Sequence, residues 1–86
     1  MEPDIIVGRL YLPKPSVNSS FLITWFKDPI QPGLLLEVMH RFEASGWSSH
    51  KREERHWARF LIDEQTIWIL KPTLHEPWSY FLDEVK

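Results

Sequence analysis

The first two apolar runs of the chain predict β-strands. Residues 5–12 are rich in β-forming types, and the Pro13-Lys14-Pro15 that follows would end a strand because proline cannot donate to a β-ladder. Residues 21–26 are apolar on both faces, as expected of a central strand in a sheet. The pattern therefore predicts one strand at 5–12 and a second at 21–26.

The apolar spacing then changes to that of a helix. Four apolar residues recur at helical spacing, and we expect them to form a buried stripe: Leu35, Val38, Met39 and Phe42. Gly46 is the residue type that most often caps a helix at its end. The sequence thus predicts a helix from about Gln31 to Gly46, in which Phe42→Ala would cost about 3–5 kcal/mol.

Strand alternation returns between residues 47 and 62. It places Trp57, Arg59 and Leu61 on one face, and the opposite face carries His56, Ala58, Phe60 and Ile62. A turn at Asp63-Glu64-Gln65 leads into a further strand at 66–70, which predicts a β-hairpin.

The last part of the chain returns to helical spacing. Pro77 is compatible with a first helical turn, and the apolar residues that follow are Trp78, Phe81, Leu82 and Val85. The predicted order is β-β-α-β-β-α over one domain, residues 1–86. We expect an α+β fold with a small antiparallel sheet of about four strands, a main helix on one face and a short C-terminal helix.

The amino-acid composition excludes several kinds of site and one class of protein. Five Trp, five Phe and two Tyr can fill the core of an 86-residue chain, and the absence of cysteine excludes disulfides and thiolate metal sites. The acidic N-terminus and the lack of a long apolar run predict neither a secretory signal nor a membrane span, so the expected compartment is the cytoplasm. A net charge of −2 excludes a strongly basic nucleic-acid binder.

The four histidines do not follow a metal-binding or catalytic pattern. No His-x-x-x-His or His-Glu-x-x-His spacing occurs, so we expect no metal site and no cofactor, and the sequence favours a non-enzyme over an enzyme. A histidine beside a carboxylate, such as His56 with Glu53 or Glu54, leaves a small histidine-dependent ribonuclease as a third hypothesis.

One resemblance bears on that third hypothesis. A helix ending in Ser45-Gly46-Trp47, followed by a basic strand with a histidine, is similar in outline to the small HicA-type toxin ribonucleases. In that family the catalytic histidine lies in a Gly-Ser-His context, whereas this chain has Ser48-Ser49-His50 and begins with strands. The chain is therefore not assigned to the family.

Surface aromatic and arginine residues favour a non-catalytic protein-interaction module. Such residues are enriched at interface hot spots, and the candidate protein-binding set is Arg55, Trp57, Arg59, Trp68, Trp78 and Tyr80. The partner would be another protein or a second copy of the chain. The alternative is nucleic-acid binding through the basic segment at 50–59, with Lys51, Arg52, Arg55 and Arg59.

Overall fold

The fold is an antiparallel sheet to which five strands contribute within the described residues. The computed structural model describes residues 4–15, 20–26, 30–45 and 48–86. The strands are β1 (Leu10–Pro13), β2 (Gly33–Ser45), β3 (Ser48–Ile62), β4 (Gln65–Leu70) and β5 (Leu82–Val85). A short helix, α1 (Ser20–Trp25), lies between β1 and β2, and a 3-10 turn, η1 (Trp78–Tyr80), precedes β5. The strand order across the sheet is β4-β3-β2-β1-β5.

The two longest strands, β2 and β3, pair with each other along most of their length. Their register runs from Leu34 opposite Leu61 to Ala44 opposite Arg52. It shifts once between Leu35 and Glu37, so that Leu36 is an extra residue on β2, as in a β-bulge. This long hairpin is the centre of the sheet.

The tighter hairpin between β3 and β4 confirms the sequence prediction for residues 57–70. Asp63 and Glu64 form its turn with φ angles of 50° and 65°. Positive φ at both central residues is the backbone of a type I′ turn, whose twist matches that of the flanking strands. The turn forms without glycine because aspartate tolerates the left-handed region better than most residues.

The core lies on one face of the sheet. β3 contributes Ala58, Phe60 and Ile62, each at most 1% exposed. The rest of the core comes from the other strands, the short helices and the N-terminal segment: Ile5, Tyr11, Leu22, Phe26, Leu35, Ile69, Trp78, Phe81 and Leu82. Phe60 is central, since its ring contacts Phe26 at 5.6 Å and Tyr11 at 6.4 Å between centroids. These contacts cover the face of β3 that carries even-numbered residues.

Hydrogen bonds attach the terminal segments to the covered face. The Lys14 amide donates to the Phe81 carbonyl at 2.8 Å, and the Tyr11 hydroxyl accepts from the Ile6 amide at 2.8 Å. The Asp4 carboxylate accepts from the amide of Ser79 on η1. Partial burial acts to raise the pKa of Asp4, but hydrogen bonds from Ser79 and from the backbone of Asp4 and Trp78 together lower it by more. The N-terminal segment and η1 therefore hold each other on the sheet.

The α+β prediction is wrong, because no main helix packs on the sheet in the described residues. The segment predicted as that helix forms β2 instead. Of the four residues predicted to be buried on it, Leu35 is in the core and Val38 packs partly against it, whereas Phe42 is 68% exposed. Met39 pairs with Trp57 on the opposite face. The proposed helix cap at Gly46 lies outside the described residues.

The other incorrect secondary-structure predictions concern the segments before β2 and after β4. The strand predicted at 21–26 is α1, because Leu22 and Phe26, four residues apart, are both buried in the core. The first strand is confined to Leu10–Pro13. The predicted C-terminal helix is η1 followed by β5, which pairs with β1 along Leu10–Pro13.

The loss of the predicted helix also removes the basis of the ribonuclease resemblance. That resemblance required a helix directly before the basic strand, and a strand, β2, occupies the position. Neither helical element in the described part of the chain has the length and apolar composition needed to cross a membrane.

Two phenylalanines on the same side of the central hairpin provide a test of this fold. Phe60→Ala should lower the free energy of unfolding by about 3–5 kcal/mol, because it removes a fully buried ring. Phe42→Ala should change it by about 0.5 kcal/mol or less, because that ring is mostly in solvent. Urea denaturation followed by circular dichroism measures both. Equal losses, or a larger loss for Phe42, would contradict the strand assignment of β2.

Candidate functional site

The outer part of the central hairpin extends beyond its neighbouring strands. β1 pairs with β2 only at Gly33 and Leu34, and β4 pairs with β3 no further than Trp57. Residues 40–45 of β2 and 48–56 of β3 therefore form a two-stranded arm within the described chain. Because strand side chains alternate, each face of this hairpin presents its own set of groups.

The face opposite the core carries a shallow aromatic groove of about 290 Å³. Five residues from β2, β3 and β4 line it: Met39, Arg41, Glu43, Trp57 and Trp68. The indole Nε1 of Trp57 donates a hydrogen bond to Glu43 Oε2 at 2.8 Å, which fixes the ring against the neighbouring strand. The guanidinium of Arg59 lies 5.7 Å from the centre of the Trp68 ring, within the range of a cation–π contact. We call this surface the open face.

Like charges lie directly opposite each other at the outer end of the open face. Arg41 is opposite Arg55, and Glu43 is opposite Glu53. Such pairs are unfavourable across strands. Part of the repulsion is relieved along β3, where Arg55 pairs with Glu53 at 3.3 Å. Arg41 is exposed and has no ion-pair partner among the described residues.

The open face brings together four of the six residues predicted to bind protein. Arg55, Trp57 and Arg59 alternate along β3, and Trp68 is opposite Arg59 on β4. Trp78 lies in the core at 2% exposure, so it has no accessible surface to offer a partner. Tyr80 is exposed, but it belongs to η1, which contacts β5 at the other edge of the sheet.

The residues predicted to bind nucleic acid are divided between the two faces. Arg55 and Arg59 lie on the open face, whereas Arg52, an odd number of residues away in the same strand, points to the opposite side. The side chain of Lys51 lies outside the described residues. The described cations therefore do not form one continuous basic strip.

The reverse face of the hairpin carries a cluster of two histidines and a carboxylate. His40 on β2 is directly opposite His56 on β3, and their rings stack at 3.8 Å with 10° between their planes. The Nε2 atom of His56 is hydrogen-bonded to Glu54 Oε1 at 2.9 Å. One ligand atom from each of the three residues lies within 4.8 Å of the other two. We call this the histidine cluster.

Electrostatics in the cluster favour the neutral imidazole of His40 and the ionised carboxylate of Glu54. Partial burial and the adjacent His56 lower the pKa of His40, although the charge of Glu54 acts in the opposite direction. The hydrogen bond from His56 lowers the pKa of Glu54. Neutral imidazole nitrogens beside a carboxylate can act as a base oriented by an acid, or as ligands for a metal ion.

The cluster was not identified from the sequence because its members lie on two strands. Spacings such as His-x-x-x-His bring metal ligands together on one helix, whereas this cluster spans two strands, of which β2 was itself predicted to be helical. Glu54 and His56 are two residues apart, so they share a face of a strand. That spacing, together with a histidine on the partner strand, is the pattern that would have revealed the cluster.

The stacked rings predict a specific titration of His40. Its pKa should lie below the ordinary histidine value, and His56→Gln should raise it, because the neighbouring charge and part of the desolvation are removed. Since the folded state disfavours protonation of His40, the stability contributed by the neutral form should be lost as the pH falls below the ordinary histidine value. NMR titration of the imidazole protons gives the pKa in each protein. A His40 pKa that is unaffected by His56→Gln would contradict the stacked geometry.

Comparisons with known proteins provide no family assignment. The chain matches no protein-family model, and no curated protein or solved structure matches it. The open face and the histidine cluster are therefore the features of the chain from which a function can be inferred.

Proposed function

We propose that the chain is a small non-catalytic interaction module whose open face binds a protein segment carrying an apolar side chain next to a carboxylate. The observation that supports this proposal most directly is the groove between Trp57 and Trp68, on the face of the sheet opposite the core. The absence of cysteine suits the cytoplasm as the compartment in which the module acts.

The size and composition of the groove fit one anchoring side chain. Its volume of about 290 Å³ is slightly below the range of roughly 300–1,000 Å³ that is usual for small-molecule pockets. Trp57 and Met39 lie opposite each other at its centre and remain only half-buried. A partner side chain placed between the indoles would complete their burial, as anchors do at interface hot spots.

The charged residues around the groove indicate which polar group the partner should carry. Arg41 and Arg55 face each other, and Arg41 lacks an ion-pair partner among the described residues. The Nε atom of Arg59 is buried and likewise has no hydrogen-bond partner within that part of the chain. A carboxylate from the partner would relieve the repulsion between the arginines and form charge-assisted hydrogen bonds with them.

Charge balance favours protein over nucleic acid as the partner. Among the hairpin residues whose side chains the structure describes, the open face carries three arginines and three glutamates: Arg41, Arg55, Arg59, Glu37, Glu43 and Glu53. Nucleic-acid binding depends on an excess of positive charge facing the phosphates. An apolar centre surrounded by both signs of charge is the usual composition of a protein interface.

Substitutions on the open face should weaken partner binding without unfolding the domain. Short random peptides displayed on phage supply the probe, and the selected peptides should contain a large apolar residue next to Asp or Glu. Trp57→Ala and Arg59→Ala should each weaken binding by about 1–3 kcal/mol, roughly 5–150-fold, because they remove the anchor site and a charged donor. Isothermal titration measures the affinity, and circular dichroism monitors folding.

Tyr80→Ala provides the matched control, because Tyr80 is an exposed aromatic residue away from the open face. It should leave peptide affinity unchanged. Equal affinity of the wild type, Trp57→Ala and Arg59→Ala proteins for the selected peptides would refute the proposed surface.

Light scattering determines whether a second copy is the partner. Tight, salt-sensitive binding of single-stranded RNA that charge reversal at Lys51 and Arg52 abolishes would support the nucleic-acid alternative.

A further inference from the structure

We propose that His40, Glu54 and His56 form a binding site for a divalent ion of the zinc class, with at least one coordination position left for water or another ligand. The site lies on the reverse face of the hairpin from the open face, so it is separate from the proposed protein-binding surface. It also adds a chemistry that the sequence spacing did not predict.

The donor set matches the preferences of zinc and of the later first-row ions. Two imidazole nitrogens and one carboxylate oxygen are the protein ligands of many zinc sites in which water completes a tetrahedron. Imidazole also suits copper and nickel, whereas calcium and magnesium prefer sites made of oxygen ligands. Two histidines in the set therefore select against the common hard cations.

The described geometry already brings the ligand atoms close together. His56 Nε2 and Glu54 Oε1 are 2.9 Å apart, and all three donor atoms lie within 4.8 Å of one another. Metal–ligand bonds of about 2.0–2.1 Å place tetrahedral donor atoms roughly 3.3–3.4 Å apart. The metal would replace the hydrogen that His56 and Glu54 share, and their donor atoms would separate by a few tenths of an ångström.

Metal binding requires the two imidazole rings to move apart. An imidazole binds metal in the plane of its ring, and rings that stack at 3.8 Å with 10° between their planes cannot both meet this condition. His40 is exposed, so its ring can tilt about its side-chain torsions without displacing core residues. Binding should therefore abolish the ring stacking, a change that NMR detects separately from metal affinity.

The charges of Glu54 and Lys71 affect the affinity of the site for a metal ion. Glu54 is exposed and supplies a carboxylate, which must be ionised to bind metal strongly, and its hydrogen bond to His56 lowers its pKa further. The charge of Lys71, which acts on both His40 and Glu54, opposes a bound cation. The negative charge of Glu54 offsets that repulsion, which makes the carboxylate as important to the site as either imidazole.

Isothermal titration of the purified, chelator-treated chain with Zn²⁺ tests the site directly. We expect one ion per chain and a melting temperature that rises with zinc, since an ion that binds only the folded state stabilises it. His40→Ala, His56→Ala and Glu54→Gln should each weaken binding by about tenfold or more. Titration with Co²⁺ adds a visible absorption spectrum that reports on the coordination geometry.

His75→Ala is the control, because His75 is an exposed histidine outside the cluster. It should bind zinc as the wild type does. Glu54→Gln keeps the shape of the side chain, so it tests the carboxylate even if a histidine variant fails to fold. The proposal is overturned if the wild type binds no zinc, or if the folded His40→Ala and His56→Ala proteins bind it unchanged. Loss of binding on His50→Ala with both of those variants unaffected would equally exclude this cluster.

Discussion

Pairing between β2 and β3 is the interaction on which the rest of the structure depends. It places Leu35 opposite Phe60, and Phe60 in turn contacts the rings of Phe26, directly after α1, and of Tyr11 in β1. The same register sets His40 beside His56 and Met39 beside Trp57 on opposite faces. A slip of one residue would move every side chain of one strand to the other face. Core, open face and histidine cluster are therefore all fixed by one ladder.

The sequence predicted β3 correctly because its apolar and polar residues alternate regularly. The prediction for β2 was wrong because one extra residue interrupts the alternation there. Along β3, Ala58, Phe60 and Ile62 alternate with charged and aromatic residues, and the predicted faces of this strand agree with the observed ones. On β2 the bulge at Leu36 changes the phase, so that Leu35, Val38 and Phe42 share a face with a spacing that a helix also produces. Leucine, glutamate and methionine in this segment favour a helix locally. Pairing with β3 overrides that preference, and no local pattern contains this information.

The same distinction explains which parts of the candidate site could be predicted. Arg55, Trp57 and Arg59 lie on a single strand, so alternation alone was enough to group them on one face. Trp78 is a residue type that is enriched at hot spots, but it is buried in a core whose other members come mostly from segments distant in sequence. The histidine cluster depends on the register between two strands, one of which had been assigned to the wrong class of secondary structure. A set of side chains that share a face of one strand could be predicted from the sequence, whereas the histidine cluster, which forms between two strands, could not.

Three of the four cross-strand pairs between His40 and Glu43 are pairs of like groups: His40 with His56, Arg41 with Arg55 and Glu43 with Glu53. Opposite charges at these positions would stabilise the hairpin, so this arrangement is poor for stability alone. Among the described side chains of the hairpin, none beyond Val38 and Ala58 belongs to the core or packs against it, so polar side chains can occupy both faces of the arm. Each of these unfavourable pairs also places two identical side-chain donor or acceptor groups close together. Two imidazoles can bind a cation and two guanidinium groups can bind a carboxylate, because in each case the ligand removes the repulsion or the unmet hydrogen-bonding capacity of the free protein. The like pairs that weaken the isolated arm are therefore the same features on which both proposed binding sites depend.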